Sequence, residues 1–195
     1  MKLQETLPDG VQVGGRFFRM DFDFRNVLRM MDELARDDVL PEAREFRALR
    51  CIMKHPPKKT GPVLAAVKKV LFPETGQSAK RDKITDFVQD ADLIRAAFLQ
   101  AFGINLYTDR LHWLAFSGLL ACIPEGSRYS EILGIRTRPM PPATKWNAEE
   151  RRWLAKAKAE HAVRLTDRER ADKMADGLRS VALSLLTLAE GGRRE

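Results

Sequence analysis

The sequence predicts a mainly α-helical fold opened by a short N-terminal β-hairpin. Three observations carry that expectation. Over most of the chain the apolar residues recur three and four positions apart, the helix period. Between Val11 and Phe22 they alternate with polar residues instead, the strand period, around the pair Gly14-Gly15. Prolines and turn residues fall mostly between the periodic runs, where they end one element and start the next.

Each element follows from local chemistry. Gly14-Gly15 suits a two-residue hairpin turn, which needs positive φ at both positions. Val11 and Val13 belong to its first strand, and Phe18, Met20 and Phe22 alternate along the second. Asp23 is placed to cap a helix whose apolar face is Phe24, Val27, Leu28, Met31, Leu34 and Ala35. A second helix starts near Pro41, a favoured first-turn residue, with Phe46, Leu49, Ile52 and Met53 as its stripe, and Pro56-Pro57 ends it. A third runs from Pro62 to Phe72 on Val63, Val67, Val70 and Leu71. Glu74 to Lys83 is polar and reads as an exposed loop.

The next helix is capped near Asp90, buries Ile94, Ala97, Phe98, Ala101 and Phe102, and stops at Gly103. Thr108 or Asp109 is expected to cap the following one, with Leu111, Leu114, Ala115, Gly118, Leu119 and Cys122 inward. Trp113 and Phe116 share that helix. Aromatic residues at helical spacing usually pack inside, so both are assigned to the core. Ser130 caps a short helix through Ile132 and Ile135. The organisation expected is a compact helical domain with the hairpin over 1–136, a proline-containing linker over 137–146, and a C-terminal helical pair over 147–195. Asn147 with Glu150, and Thr166 with Glu169, form capping-box patterns for the two helices of that pair.

The last helix carries Ala171, Met174, Leu178, Val181, Leu185 and Leu188, spaced alternately three and four apart. That is a coiled-coil-type seam. It either packs onto its own domain or binds another chain. The candidate partner-binding residues are Met174, Leu178, Val181, Leu185 and Leu188.

Composition bounds the function. Hydrophobic content of 44% and charged content of 31% are globular values, which excludes a disordered chain. Two cysteines, Cys51 and Cys122, in apolar helical surroundings are no disulfide framework. No apolar run approaches the roughly 18 residues of a membrane span, and the polar start, Met1 to Gly10, does not resemble a secretory signal. The net charge of +7 raises a nucleic-acid reading. The excess is spread along the chain and interleaved with acids, whereas a duplex binder concentrates Lys and Arg on one face.

No catalytic constellation completes itself. Cys51 and His55 have metal-ligand spacing, but Pro56 disturbs the helix there and a second pair is missing. His112 has no recognisable nucleophile or orienting carboxylate and reads as a helix-surface histidine. Asp86, Asp90 and Asp92 cluster where a helix begins, and Asp21 and Asp23 do the same, so both groups read as capping residues. Lys58-Lys59-Thr60-Gly61 lacks the order of a phosphate loop. No metal, cofactor or catalytic residue is assigned.

One continuous pattern carries more. It comprises Asp86-Phe87, Asp90-Ala91-Asp92, Ala96-Ala97-Phe98-Leu99-Gln100, Phe102-Gly103-Ile104-Asn105-Leu106, Leu111-His112-Trp113, Leu119-Leu120, Pro124-Glu125-Gly126-Ser127 and Ile132 to Arg136. This pattern resembles the gene-product-fifteen family of phage tail proteins, found in Listeria-type long-tailed phages and related prophages. The hairpin and Asp23-Phe24-Arg25 are similar as well, and Glu149 to Arg164 is similar to that family's basic last helix; the chain departs from the pattern after about Leu165. The resemblance implies a non-enzymatic tail-assembly chaperone. Such a protein would bind the tape-measure protein, assist the tail-tube protein in assembling around it, act in the cytoplasm of the bacterial host and be absent from the mature virion. The implied partners are the tape-measure protein and the tail-tube protein; the seam adds a second copy of the chain as a candidate partner, and the charge distribution and hydropathy point to no specific nucleic acid and no membrane. The alternative is a basic helical nucleic-acid-binding protein.

Overall fold

The computed structural model describes residues 4–73, 83–165, 170, 174 and 175. Among them the fold is mainly helical, as expected: a two-stranded antiparallel hairpin is followed by seven helices. The strands are β1 (Gly10–Val13) and β2 (Arg16–Arg19). The helices are α1 (Phe24–Ala35), α2 (Pro41–Ile52), α3 (Gly61–Leu71), α4 (Ala91–Phe102), α5 (Trp113–Ala121), α6 (Arg128–Thr137) and α7 (Ala148–Glu160). They fall into two compact units. The first comprises Met1–Asp82 and Ala91–Ile132, the second Lys83–Asp90 and Leu133–Glu195.

In the first unit the hairpin turns where Gly14 and Gly15 adopt φ of 56° and 78°. This is the conformation that twists two strands together and that side chains disfavour. Val13 faces Arg16 and Val11 faces Phe18 across the ladder. The side chain of Asp23 caps α1 by accepting from the Arg25 amide at 3.0 Å. α1 packs on α2 and α5, α3 on β1 and α2, and α4 on α5. An aromatic column runs through this packing: Phe24 stacks on Phe116 at 4.7 Å between centroids, and Phe116 on Phe98 at 5.2 Å. Trp113 is buried and donates its indole N–H to the Leu71 carbonyl at 3.1 Å. The core assignment of Trp113, Phe116 and Phe98 therefore holds.

Several face assignments change. On α1 the fully buried methionine is Met30, while Met31 is half-buried and Ala35 exposed. The α2 stripe is Ala48, Leu49 and Ile52, and Phe46 points outward. In α4 and α5, Ala101, Gly118 and Cys122 are exposed. On α1 and α2 the buried arc is turned toward Met30 and Ala48, and on α4 and α5 it is narrower than the apolar residues span, because each helix is covered on one side only. α6 begins two residues before the expected cap, with the Ser127 hydroxyl accepting from the Ser130 amide at 3.1 Å.

In the second unit α7 is the first helix of the expected C-terminal pair. Its capping box does not form. Asn147 instead accepts from the Thr144 amide and donates to the Pro142 carbonyl, both at 2.9 Å. Glu150 pairs with Arg138 at 2.7 Å, and Arg151 donates to the Pro141 carbonyl. The proline-containing stretch is thus tied to α7 along its length. The second helix of the pair lies outside the described residues apart from Arg170, Met174 and Ala175, which are helical.

Candidate partner-binding surfaces

The residues that carry the sequence pattern meet at two structural nodes. The first joins the start of α1 to the start of α5. Phe24 donates its amide to the Leu111 carbonyl at 2.9 Å, and Trp113 donates to Phe22 at 2.8 Å. Arg25 reaches the carbonyls of Leu106 and Asp109 at 2.8 and 2.9 Å. Arg110 clamps Asp21 with contacts of 2.9 and 2.7 Å.

At the centre of this node His112 is the cap of α5, which corrects its reading as a surface histidine and that of Thr108 or Asp109 as the cap. Nδ1 accepts from the Leu114 amide at 3.1 Å. Nε2 therefore carries the proton and donates to the Pro8 carbonyl at 2.9 Å. Both ring nitrogens are thus committed to hydrogen bonds with the main chain. Thr108 and Asp109 instead close a turn on Asn105. Replacing His112 with alanine is expected to cost about 1 kcal/mol, the usual value of a cap. Asparagine should restore most of it, and urea unfolding of the two variants measures the difference.

The second node lies in the second unit. Asp90, near the start of the pattern, and Arg136, at its end, form a buried bidentate pair at 2.7 and 2.8 Å. Arg136 also donates to the carbonyls of Ile84 at 2.9 Å and His161 at 2.6 Å. Lys158 donates to the Arg136 carbonyl at 2.7 Å. Gln89 holds residues 162–164 through the Ala162 carbonyl and the Arg164 amide, both at 3.0 Å.

This changes the reading of the aspartate cluster. Asp86 caps the turn before Asp90, accepting from the amides of Val88 and Gln89 at 2.9 Å. Partial burial pushes its carboxyl up, but those amides and the Lys83 ammonium outweigh it and hold it below the usual carboxylate range. Asp92 is exposed and pairs with Arg95 at 2.9 Å. Asp90 is a buried structural charge, a role the sequence reading missed.

The other candidates stay apart. Burial pushes the Cys51 thiol up from its ordinary value, and Sγ lies 3.5 Å from the Arg47 carbonyl, while His55 is exposed. Thr60 donates to Glu45 at 2.6 Å. Among the described residues, no group of three or more His, Cys, Asp or Glu side chains is placed to hold a metal.

Both nodes are scaffolding, so binding surfaces must be sought among exposed groups. In the second unit Trp146 is 84% exposed and Trp153 is 56% exposed. α7 turns Leu154 and Ala157 inward and carries Trp153 on its outer side with Arg152 and Lys156. The Lys145 ammonium sits over the Trp146 ring at 4.8 Å. Tryptophan is the residue most enriched at the energetic centres of interfaces. The sequence reading passed over both. The available signal was Trp153 beside Leu154, since adjacent helix positions lie about 100° apart and a one-sided contact covers only one of them. Of the predicted seam, Met174 is helical and 69% exposed. Leu178, Val181, Leu185 and Leu188 lie outside the described residues.

A family model described as Bacteriophage Gp15 protein matches residues 3–163. The chain belongs to this family. The match takes in the first node, the Asp90–Arg136 pair of the second and both exposed tryptophans of the second unit, and it stops short of the seam. No curated protein and no solved structure matches the chain. Among the described residues, no helix is long and apolar enough to cross a membrane.

Proposed function

We propose that this chain is a tail-assembly chaperone of a long-tailed phage. It binds the tape-measure protein, keeps it soluble, and gives way to the tail-tube protein as the tube assembles. The observation that carries this reading is membership of the Gp15 family over residues 3–163. It is supported by a fold in which residues of the sequence pattern build scaffolding, with His112 spent on capping and Asp90 on a buried ion pair. Such a protein acts by contact rather than by chemistry, in the host cytoplasm, and leaves before the virion is complete.

The physics requires little else. A tape-measure chain carries long apolar helical stripes that aggregate when bare. A helical partner with exposed aromatic anchors covers them reversibly. Apolar burial contributes about 25 cal/mol per Å², and tube subunits competing for the same stripes drive release. Within the family match Trp146 and Trp153 are the anchors best suited to this contact. The terminal seam from Met174 to Leu188 then serves this chain's own association, with a second copy or with the same partner.

Co-expression with the tape-measure protein of the same genome tests the proposal. Soluble co-purification is expected, and Trp146→Ala with Trp153→Ala should weaken it by at least about tenfold, as loss of aromatic anchors does. A tape-measure protein that stays soluble alone and ignores this chain would sink the reading. The second reading, nucleic-acid binding, draws on the net charge of +7. It predicts retention of oligonucleotides at physiological salt, where interleaved charges should bind weakly and lose what they bind as salt rises.

A further inference from the structure

The spread of basic residues along the sequence conceals one local concentration. In the first unit a groove of about 570 Å³ runs between β2 and the chain leaving α2. Arg16 and Arg19 come from the strand, and Arg50 and Lys54 from the opposite wall. Its carboxylate, Asp21, is already held by Arg110 at 2.7 Å. Arg19 has only a 3.8 Å exposed contact to Asp9, and Arg50 and Lys54 have no carboxylate partner among the described residues. Two segments, each ordinary in sequence, are folded into a single cationic trough.

One wall of the trough is an open strand edge. The two-residue turn makes Val13 and Arg16 the hydrogen-bonded pair nearest the turn. Antiparallel pairing then alternates, so Val11 and Phe18 form the next bonded pair. The main-chain N–H and C=O groups of Phe17 and Arg19 consequently face away from β1. The opposite wall leaves α2 extended, with Met53 at φ −147° and ψ 148°. The walls meet where the Asp21 amide donates to the Ile52 carbonyl at 2.8 Å, which closes one end. Phe17, 56% exposed, also lines the groove.

We infer that this groove binds an acidic, extended segment of a protein partner, which adds to β2 as a third strand. The cations select negative side chains, and the free edge selects a polypeptide backbone over a phosphate chain. This site is separate from the tryptophans of the second unit and does not depend on the tape-measure reading.

Fluorescence anisotropy with the full chain tests it. The probe is a labelled peptide of alternating glutamate and valine; the controls are its lysine–valine counterpart, the same acidic peptide N-methylated at alternate residues, and an oligothymidylate. The acidic peptide should bind, and the lysine peptide should not. N-methylation, which keeps the charge and blocks strand pairing, should weaken binding by about tenfold or more. Arg50→Glu with Lys54→Glu should remove it while leaving the circular dichroism melt unchanged, since both side chains are exposed. Equal binding of the methylated peptide, binding undisturbed by the charge reversal, no binding of the acidic peptide, or tighter charge-dependent binding of the oligothymidylate would each overturn the proposal.

Discussion

Replacing Phe98 with alanine is expected to lower the unfolding free energy by about 3–5 kcal/mol, the cost of emptying a fully buried aromatic site. Phe98 has no exposed surface. Its ring stacks on Phe116 at 5.2 Å and meets Phe102 edge-on at 5.5 Å. Phe116 in turn stacks on Phe24, so the column couples α4 to α5 and α5 to α1. Alanine at 98 would leave a void whose walls are rings on rigid helices, which are poorly able to collapse into it. The neighbouring Leu99 is 56% exposed, and Leu99→Ala should stay within about 0.5 kcal/mol of the parent. Denaturant midpoints for the two variants provide the measurement. Equal midpoints would mean that the aromatic column does not hold the first unit together.

Phe98, Trp113 and Phe116 were legible because bulk and periodicity suffice to identify a core aromatic. The hairpin was legible for a similar reason, since Gly14-Gly15 permits few alternatives. The start of α1 was legible through Asp23, a common cap. The cap of α5 was not, because histidine seldom takes that role. It does so here because the Pro8 carbonyl holds Nε2 and Phe22 meets the ring edge-on at 5.7 Å, which leaves Nδ1 aimed at the Leu114 amide. Met30 rather than Met31 is the buried methionine of α1, a difference of one helix position that periodicity alone does not resolve.

The candidate surfaces were less legible than the fold. Counting charge along the chain cannot reveal that residues 16–19 and 50–55 face each other, because the turn of α1 into α2 brings them together. Helical periodicity detects apolar stripes on one face, so it favoured the regular seam after Met174 over the isolated Trp146 and Trp153. Exposure is a tertiary property, and the two tryptophans became candidates only once Leu154 was seen to take the buried position.

The Asp90–Arg136 pair spans 46 residues, and no local pattern announces such a contact. It also supports the other large prediction. Arg136→Met keeps a long side chain but removes the charge, and it should destabilise the second unit by about 3–5 kcal/mol. The reason is the charge left behind. Asp90 is 1% exposed and Arg136 7% exposed, so water cannot replace the lost guanidinium. The Asp86 amide would remain as a neutral donor to the stranded carboxylate, at 2.9 Å. The carbonyls of Ile84 and His161 would lose a donor as well. Adding Asp90→Leu to Arg136→Met should recover part of the loss, because two apolar groups are cheaper to bury than one unpaired charge. Raising the salt should change little, since screening acts on exposed charges. Hydrogen exchange at the Gln89 and Arg164 amides reports the effect locally, and thermal melts report it globally. A single variant as stable as the parent, or a double variant worse than the single, would show that the buried pair does not organise this unit.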